Sequence, residues 1–307
     1  MTNKQKGVLL AVVGASLWGT SGTAAEFLFK TTGVDTFWLI GVRAWIAGII
    51  LTSFIYWKNG PQAFAILKNK RDFLSGILYA TVGITGSQFT YFMTVKNSNA
   101  PTGTILVFLA PVLIIAFVAI KSRQITRRID LISVLVALIG TVMMVTGGNF
   151  THLAITPKAL GWGFLAAATQ AASVLMPGKL FKKYGTLTII SLSSLWGGIL
   201  FLPSFFIAPA IRPTILSWAI IVYIAVVGTV FAYTLYLSSV LYISAGLASI
   251  LEAFEPLMAT ILSVGLLGSD FGQMKIFGGI LIILATALQV IPVQRTKKLL
   301  HKVADQN

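Results

Sequence analysis

The sequence predicts an all-α integral membrane protein with ten transmembrane helices, arranged as two inverted-topology five-helix repeats. Composition, the length of the apolar runs and an internal sequence match support this fold class. Of the 307 residues, 56% are hydrophobic and only 10% are charged, whereas soluble proteins carry about 25% charged residues. Most of the chain therefore lies outside water. A transmembrane β-barrel would instead show segments of about ten alternating residues, and the apolar runs here are longer and continuous.

Ten apolar runs are separated by polar residues, glycine and proline. All but one reach the roughly 20 residues that a helix needs to cross a bilayer. These runs, spans 1 to 10, cover residues 7–26, 35–57, 73–95, 100–120, 130–148, 158–178, 186–208, 215–240, 244–267 and 273–292. The longest connection, residues 59–72, carries apolar residues and is expected at the membrane surface. The first run also resembles a signal peptide, but it has a counterpart later in the chain and is kept as span 1.

The distribution of Lys and Arg predicts the orientation. With the N-terminus in the cytoplasm, seventeen of the 23 cations fall inside, and Arg43 lies within span 2. The cations on the outside are Lys30, Lys96, Lys158, Arg212 and Lys275. Cytoplasmic loops are enriched in Lys and Arg, so both termini are predicted to be cytoplasmic, in a multi-pass protein of the cell membrane. Orientation and attraction to anionic lipid explain the net charge of +15 without a nucleic-acid partner.

The two halves of the chain match each other at an offset of 145 residues. Nine positions in residues 80–111 are identical to their counterparts. The identical pairs include Gly83/Gly228, Tyr91/Tyr236 and Pro111/Pro256. The predicted halves, residues 1–148 and 149–307, hold five spans each, so the second half enters the membrane from the opposite side. Inverted repeats recur in secondary transporters, whose substrate sites lie near the midplane between the repeats.

Four spans contain short motifs that recur in one family of membrane proteins. The motifs are Gly14-Ala-Ser-Leu-Trp18-Gly19, Arg43, Pro111 and Phe254-Glu255-Pro256-Leu-Met-Ala. They resemble the paired EamA domains of the drug/metabolite transporter superfamily, over almost the whole chain. The resemblance implies a ten-helix bundle around a central cavity lined mainly by spans 1, 3, 4, 6, 8 and 9, in a monomer or a homodimer. The acidic residue that often follows span 4 in this family is replaced by Lys121-Ser-Arg123, whereas Asp270 follows span 9.

Three ionisable residues lie well inside the predicted spans: Arg43, Glu252 and Glu255. A charge at the bilayer centre costs a few kcal/mol, so such residues face a cavity or a partner. One interpretation is a structural Arg43–Glu255 ion pair between spans 2 and 9. The other is a carboxylate that carries a proton or neutralises a cationic substrate group. Glu252 is the better candidate for that role, because Arg43 can neutralise only one glutamate well.

Pro111 and Pro256 lack the N–H that would bond the carbonyls of Val107 and Glu252. Spans 4 and 9 are therefore expected to kink at equivalent depths. The kinks serve either as gating hinges or as simple packing features.

Polar and aromatic residues of spans 1, 3, 6 and 8 complete the predicted site. A cavity that combines Trp, Tyr and Gln with an acidic residue suits an amine or an amino acid; ordinary packing is the alternative. The predicted substrate-binding or coupling residues are Glu252, Glu255, Trp18, Gln88, Tyr91, Gln170, Tyr233 and Tyr236.

These features predict a secondary transporter that moves a small metabolite by alternating access, driven by protons or by the substrate gradient. Export of an amino acid or a related compound is favoured over uptake of a cationic amine. A non-transporting membrane assembly or sensor subunit is the remaining alternative. Nothing in the sequence indicates an enzyme, a cofactor or a metal site: there is no P-loop, and His152 and His301 are the only histidines.

Overall fold

Helices, and no strands, make up the part of the chain that the structure describes. The computed structural model describes residues 2–122, 128–147, 155–207, 214–239, 241–243, 248, 251–269 and 271–290. The predicted boundary between the halves, at residues 148 and 149, lies outside this part, as do the C-terminal cations from Arg295 to Lys302.

The α-helices of these residues are numbered in chain order. They are α1 (Asn3–Thr31), α2 (Thr36–Asn59), α3 (Lys70–Leu78), α4 (Gly86–Asn97), α5 (Ala100–Val107), α6 (Ala110–Ser122), α7 (Arg128–Thr146), α8 (Pro157–Leu175), α9 (Gly178–Tyr184), α10 (Thr186–Leu200), α11 (Ser204–Ile207), α12 (Ile215–Ala225), α13 (Ala232–Ser239), α14 (Phe254–Leu267) and α15 (Gln273–Val290). A 3₁₀ helix covers Gly60–Lys68, and two π-helical segments cover Tyr79–Thr85 and Val226–Phe231.

Several of these helices are long and apolar enough to cross a bilayer. Four stretches meet this description by length and composition: Asn3–Thr31, Thr36–Lys68, Thr186–Ile207 and Ile215–Ser239. Helices α8 and α9 form a fifth if they are counted as one span across the 47° bend between them. Among the shorter apolar helices is α14 (Phe254–Leu267), which a turn at residues 252–253 precedes. Large apolar side chains such as Phe54, Leu135 and Ile215 are exposed on the outer surface, as expected for a surface that faces lipid.

The helix interruptions recur at related places in the two halves. The first π-helical segment joins α3 to α4, and the second joins α12 to α13. The turn between α5 and α6 falls at residues 108–109, and the turn before α14 falls at residues 252–253, close to the offset of 145. Each turn comes shortly before one of the two prolines predicted to kink spans 4 and 9. The side chain of Pro111 lies outside the described residues, and the hinge role of both prolines stays a prediction.

Helix α1 packs unusually close to α13 and α14 because glycine occupies the contact points. A Cβ atom on Gly19 would lie 2.3 Å from the Glu255 carbonyl oxygen. A Cβ atom on Gly14 would lie 2.9 Å from the Tyr236 backbone nitrogen. Small residues permit this kind of backbone approach between membrane helices. The approach places Trp18, which lies between the two glycines, in the interior of the bundle.

Most close helix contacts join the first half of the chain to the second. Helix α1 packs against α13 and α14, α2 against α10, α4 against α8, and α7 against α15. The space that remains between these pairs forms the cavity described below.

A polar contact ties α3 to α9 beside the 3₁₀ helix. The Asp72 carboxylate accepts hydrogen bonds from Lys183 Nζ at 2.5 Å and from the Tyr184 hydroxyl at 2.7 Å. The Asn69 side chain caps α3 by accepting a hydrogen bond from the Asp72 backbone nitrogen. The hydrogen bonds from Lys183 and Tyr184 hold the pKa of Asp72 below its usual value, so this carboxylate stays ionised near neutral pH.

Replacement of Gly19 by alanine should destabilise the protein, because the new methyl group would meet the α14 backbone. Overpacking of this kind typically costs about 1–3 kcal/mol. We expect a clear fall in the melting temperature of purified Gly19→Ala in detergent.

The matched control is Gly161→Ala in α8, where a Cβ atom meets nothing within 4 Å. It should leave the melting temperature unchanged or raise it, because alanine is the better helix former. Equal melting temperatures for the two variants would contradict the close approach of α1 to α14.

Candidate functional site

A cavity of about 450 Å³ lies between the two halves of the chain. The residues that line it come from α1, α2, α4, the junction of α5 with α6, α8, the second π-helical segment, α13 and the start of α14. All of the spans that the family resemblance assigned to the cavity contribute, and span 2 contributes as well through Arg43. The lining combines both charge signs with aromatic and amide side chains, which is the mixture expected of a site for a polar small molecule.

The structure brings most of the predicted site residues to this one cavity. Those that line it are Trp18, Gln88, Tyr91, Gln170, Tyr233, Glu252 and Glu255. Tyr236 does not line the cavity but packs against Trp18, with ring centroids 5.0 Å apart. Sequence analysis did not single out Ser21, Ser87 or Phe92, which also line it, because nothing in their spacing distinguishes them from packing residues.

Arg43 is held in the wall of the cavity by neutral partners. It is 5% exposed; its Nε donates to Thr229 Oγ1 at 2.7 Å, and its Nη1 donates to Gln88 Oε1 at 2.5 Å. Gln88 in turn donates from Nε2 to the Tyr233 hydroxyl at 3.0 Å. The Arg43 guanidinium also lies 5.0 Å from the centre of the Phe92 ring. Arg43 thus connects α2 and α4 of the first half to the second π-helical segment and α13 of the second half.

The predicted ion pair between Arg43 and Glu255 is not formed in this structure. Within the described residues, no oxygen of Glu255 lies within the 4.0 Å of an Arg43 nitrogen that defines a salt bridge. The hydroxyl of Thr229 and the amide oxygen of Gln88 occupy donors of the guanidinium instead. Both charged groups line the same cavity without a direct contact, which corrects the structural interpretation of Glu255.

Glu252 and Glu255 sit at the turn that precedes α14. The Glu255 backbone nitrogen donates to the Glu252 carbonyl at 2.8 Å, so the peptide groups close a tight turn beside the cavity. The Tyr236 hydroxyl is a neighbour of the Glu252 carboxylate. In the described part of the chain, neither glutamate has a Lys or Arg partner. Both glutamates line the cavity.

Trp18 and Tyr233 pack against each other in the wall of the cavity. Their ring centroids are 5.0 Å apart at an angle of 72°, an edge-to-face arrangement that suits aromatic pairs. An aromatic face of this kind can bind a cation.

Glu26 is a buried charge that sequence analysis missed. It is 1% exposed and accepts hydrogen bonds from the Ala100 backbone nitrogen at 2.8 Å, from Ser263 at 2.7 Å and from Ser269 at 2.5 Å. Lys30 Nζ lies 2.8 Å from Glu26 Oε1, the oxygen that also accepts the hydrogen bond from Ser269. These contacts join α1, the start of α5 and the end of α14. The Glu26/Lys30 spacing of four residues was the available signal.

Comparison with known proteins identifies the family. The model of the EamA-like transporter family matches residues 5–146 and 157–291. The chain belongs to the EamA-like transporter family.

Several EamA-like relatives align over nearly their full length. The "Uncharacterized inner membrane transporter YicL" of Salmonella typhimurium is 36% identical over 291 residues, which is 94% of this chain and 96% of the relative. The "Uncharacterized transporter YetK" of Bacillus subtilis is 26% identical over 286 residues, which is 91% of this chain and 85% of the relative. A solved crystal structure covers 93% of this chain with a TM-score of 0.61 and 19% identity, which shows a shared fold. This EamA-like chain is therefore a multi-pass membrane protein of a transporter family.

A double-mutant cycle should distinguish the observed anchoring of Arg43 from the predicted ion pair. We expect Arg43→Met and Gln88→Leu to be coupled by about 0.5–3 kcal/mol, as is usual for residues in one hydrogen-bond network. The coupling of Arg43→Met with Glu255→Gln should be smaller. The measurement is thermal unfolding of the single and double variants in detergent. A larger coupling energy of Arg43 with Glu255 than with Gln88 would contradict the observed anchoring and support the ion pair predicted from the sequence.

Proposed function

We propose that this EamA-like protein is a secondary transporter that exports an amino acid or a related compound by alternating access. It has ten spans in two inverted five-helix repeats, residues 1–148 and 149–307, with both termini in the cytoplasm. Interrupted helices such as α5 with α6 each cross the membrane once. The observation that carries the proposal is the cavity of about 450 Å³ between the halves, which is lined by both carboxylates and a guanidinium.

The pattern of helix contacts supports an inverted repeat. If the halves are equivalent, α1 corresponds to α8 and the α3–α4 span to the α12–α13 span. The contact of α1 with α13 then has the same role as the contact of α8 with α4, and both contacts are present. The α2–α10 and α7–α15 contacts each join a helix to its own counterpart. Two copies related in this way can exchange conformations and open the cavity to alternate sides.

The charges of the cavity favour an amphoteric substrate. A guanidinium has five N–H donors, and Thr229 and Gln88 engage one donor each on Arg43. The remaining donors can bind a carboxylate in the bidentate geometry that arginine prefers. Glu252 or Glu255 can bind an ammonium group, with Trp18 as an aromatic neighbour. A molecule that carries both groups fits this arrangement better than a simple amine, because an amine would leave Arg43 without a counter-charge.

Glu252 is the proposed coupling residue. Intramembrane carboxylates act as proton relays in many transporters. A proton and a substrate ammonium group compensate the same negative charge, so they can replace each other at Glu252 during the cycle. The proposal therefore links export of the substrate to entry of a proton.

The Glu26 contacts form the proposed gate on one side of the cavity. Glu26 lies five residues after the cavity residue Ser21, which is about 7–8 Å along α1. Its partners belong to α5 and α14, which also reach the cavity. Under the proposed orientation this gate faces the outside, and outward opening requires that its hydrogen bonds break.

Ligand-dependent stabilisation tests the substrate class. Purified protein in detergent is heated with leucine, with 3-methylbutylamine and with 4-methylpentanoate, and then with the same trio for other amino acids. We expect one or more amino acids to stabilise the protein more than either of their truncated forms. A ligand at 100 times its dissociation constant adds about 2.7 kcal/mol. Stabilisation should be lost in Glu252→Gln and kept in Asp72→Asn, whose carboxylate lies outside the cavity.

Counterflow of each of the tested amino acids in proteoliposomes, with and without a pH gradient, then tests transport. Equal stabilisation by the amine and the amino acid would favour the cationic-amine alternative. No stabilisation together with no counterflow would contradict a transporter and favour the assembly or sensor subunit.

A further inference from the structure

A second cavity, of about 250 Å³, lies between α3 and α10, away from the site described above. Apolar side chains line it almost completely; those from the α3 side include Leu67, Phe73 and Ile77, and those from α10 include Leu192 and Ile199. Leu67 and Ile199 are 56% and 48% exposed, so the cavity is a groove that opens at the surface of the bundle. A groove with this lining favours a hydrocarbon chain over water or a polar metabolite.

A lysine extends the same face of α3 beyond the groove. Residues Phe73, Ile77 and Ala80 of the lining are spaced by four and three positions, which places them on one face of a helix. Lys70 precedes Phe73 by three positions and continues this face by one turn, at the N-terminal end of α3. Lys70 is exposed and, in the described part of the chain, has no acidic partner. One end of the apolar groove is therefore positively charged.

Positive charge predominates around this end of the groove. Lys68 and Arg71 flank Lys70 and are also exposed. The nearby carboxylate, Asp72, is engaged by Lys183 and Tyr184 on α9. Three exposed cations therefore lie on this side of the groove, and within the described residues none of them forms a salt bridge. This is the combination of features that recognises an anionic lipid headgroup with its acyl chain.

We propose that the α3–α10 groove binds an anionic phospholipid, with an acyl chain between Phe73 and Trp196 and the phosphate at Lys70. Lys68 and Arg71 add long-range attraction. The bound lipid fills the space between a helix of the first half and a helix of the second. Because α3 continues through the first π-helical segment into α4, the lipid also braces the helix that carries Gln88. The inference does not depend on the substrate of the central cavity.

Tryptophan fluorescence can report this lipid directly. Trp196 lines the groove and donates from Nε1 to Thr81 Oγ1 at 2.9 Å. The protein is placed in vesicles of brominated phosphatidylglycerol or of phosphatidylcholine with the same brominated chains. The Trp196 contribution is the difference between the intact protein and Trp196→Phe. We expect stronger quenching of this contribution in phosphatidylglycerol than in phosphatidylcholine.

The charge of Lys70 supplies the matched comparison. Lys70→Gln should lower the apparent binding constant for phosphatidylglycerol about fivefold, the equivalent of about 1 kcal/mol for one lysine near a membrane surface. Lys158→Gln, which removes an exposed lysine from the first turn of α8, should leave it unchanged. Unbrominated phosphatidylglycerol should compete with the brominated lipid for the groove and restore the Trp196 fluorescence of the wild-type protein.

Two results would overturn the proposal. Equal quenching of Trp196 by the two lipids, unaffected by Lys70→Gln, would mean that the groove holds bulk lipid without a headgroup site. If neither brominated lipid quenches Trp196 and the purified protein has the molecular mass of a dimer, a second copy of the chain covers the groove.

Discussion

Moving a charged side chain from water into a bilayer is costly, and this constraint governs how the interior of the protein is arranged. Arg43 donates two hydrogen bonds to neutral acceptors, one on each half of the chain. Glu26 is satisfied by two serines, a backbone nitrogen and a lysine. Glu252 and Glu255 have no such cation in the described part of the chain. Two carboxylates that line a cavity without a cationic partner among the described residues are the main support for the proposed ligand site.

Close packing of α1 is the second condition for the site. Gly14 and Gly19 let this helix approach the backbones of α13 and α14, and Trp18 is thereby brought against Tyr233. The same approach sets Glu26 opposite Ser263 on α14. The close packing that Gly14 and Gly19 allow thus positions both the aromatic side chains of the cavity wall and the proposed gate at Glu26. Helix interruptions before α6 and α14 place backbone turns at the cavity, where polar peptide groups find partners other than lipid.

Composition and apolar periodicity were sufficient to predict a helical membrane protein, and the family match confirms the resemblance drawn from short motifs. The match between the halves also grouped Gln88, Tyr91 and Tyr233 as candidates for one cavity, because residues three positions apart share a helix face. The partners of Arg43 could not be predicted in this way. Depth along a span is readable from residue counts, but rotation about the helix axis is not, and it turns Arg43 towards Thr229 rather than Glu255.

The two π-helical segments were equally invisible, since they reflect packing rather than a local pattern. Glu26 lay at the edge of its predicted span, so its burial by residues more than 230 positions away had no local signal beyond Lys30.

Access to the cavity from both sides of the membrane is the central claim, and the absence of cysteine from the chain makes it directly measurable. The measurement is the labelling of Ser21→Cys by a membrane-impermeant thiol reagent in right-side-out and inside-out vesicles. Ser21 lines the cavity, whereas the control Ser133→Cys replaces a fully buried residue of α7 that does not. We predict labelling of Ser21→Cys from either side, with a ratio that shifts when Glu26→Gln weakens the gate, and no labelling of Ser133→Cys. Labelling of Ser21→Cys from one side only, in every condition, would contradict alternating access.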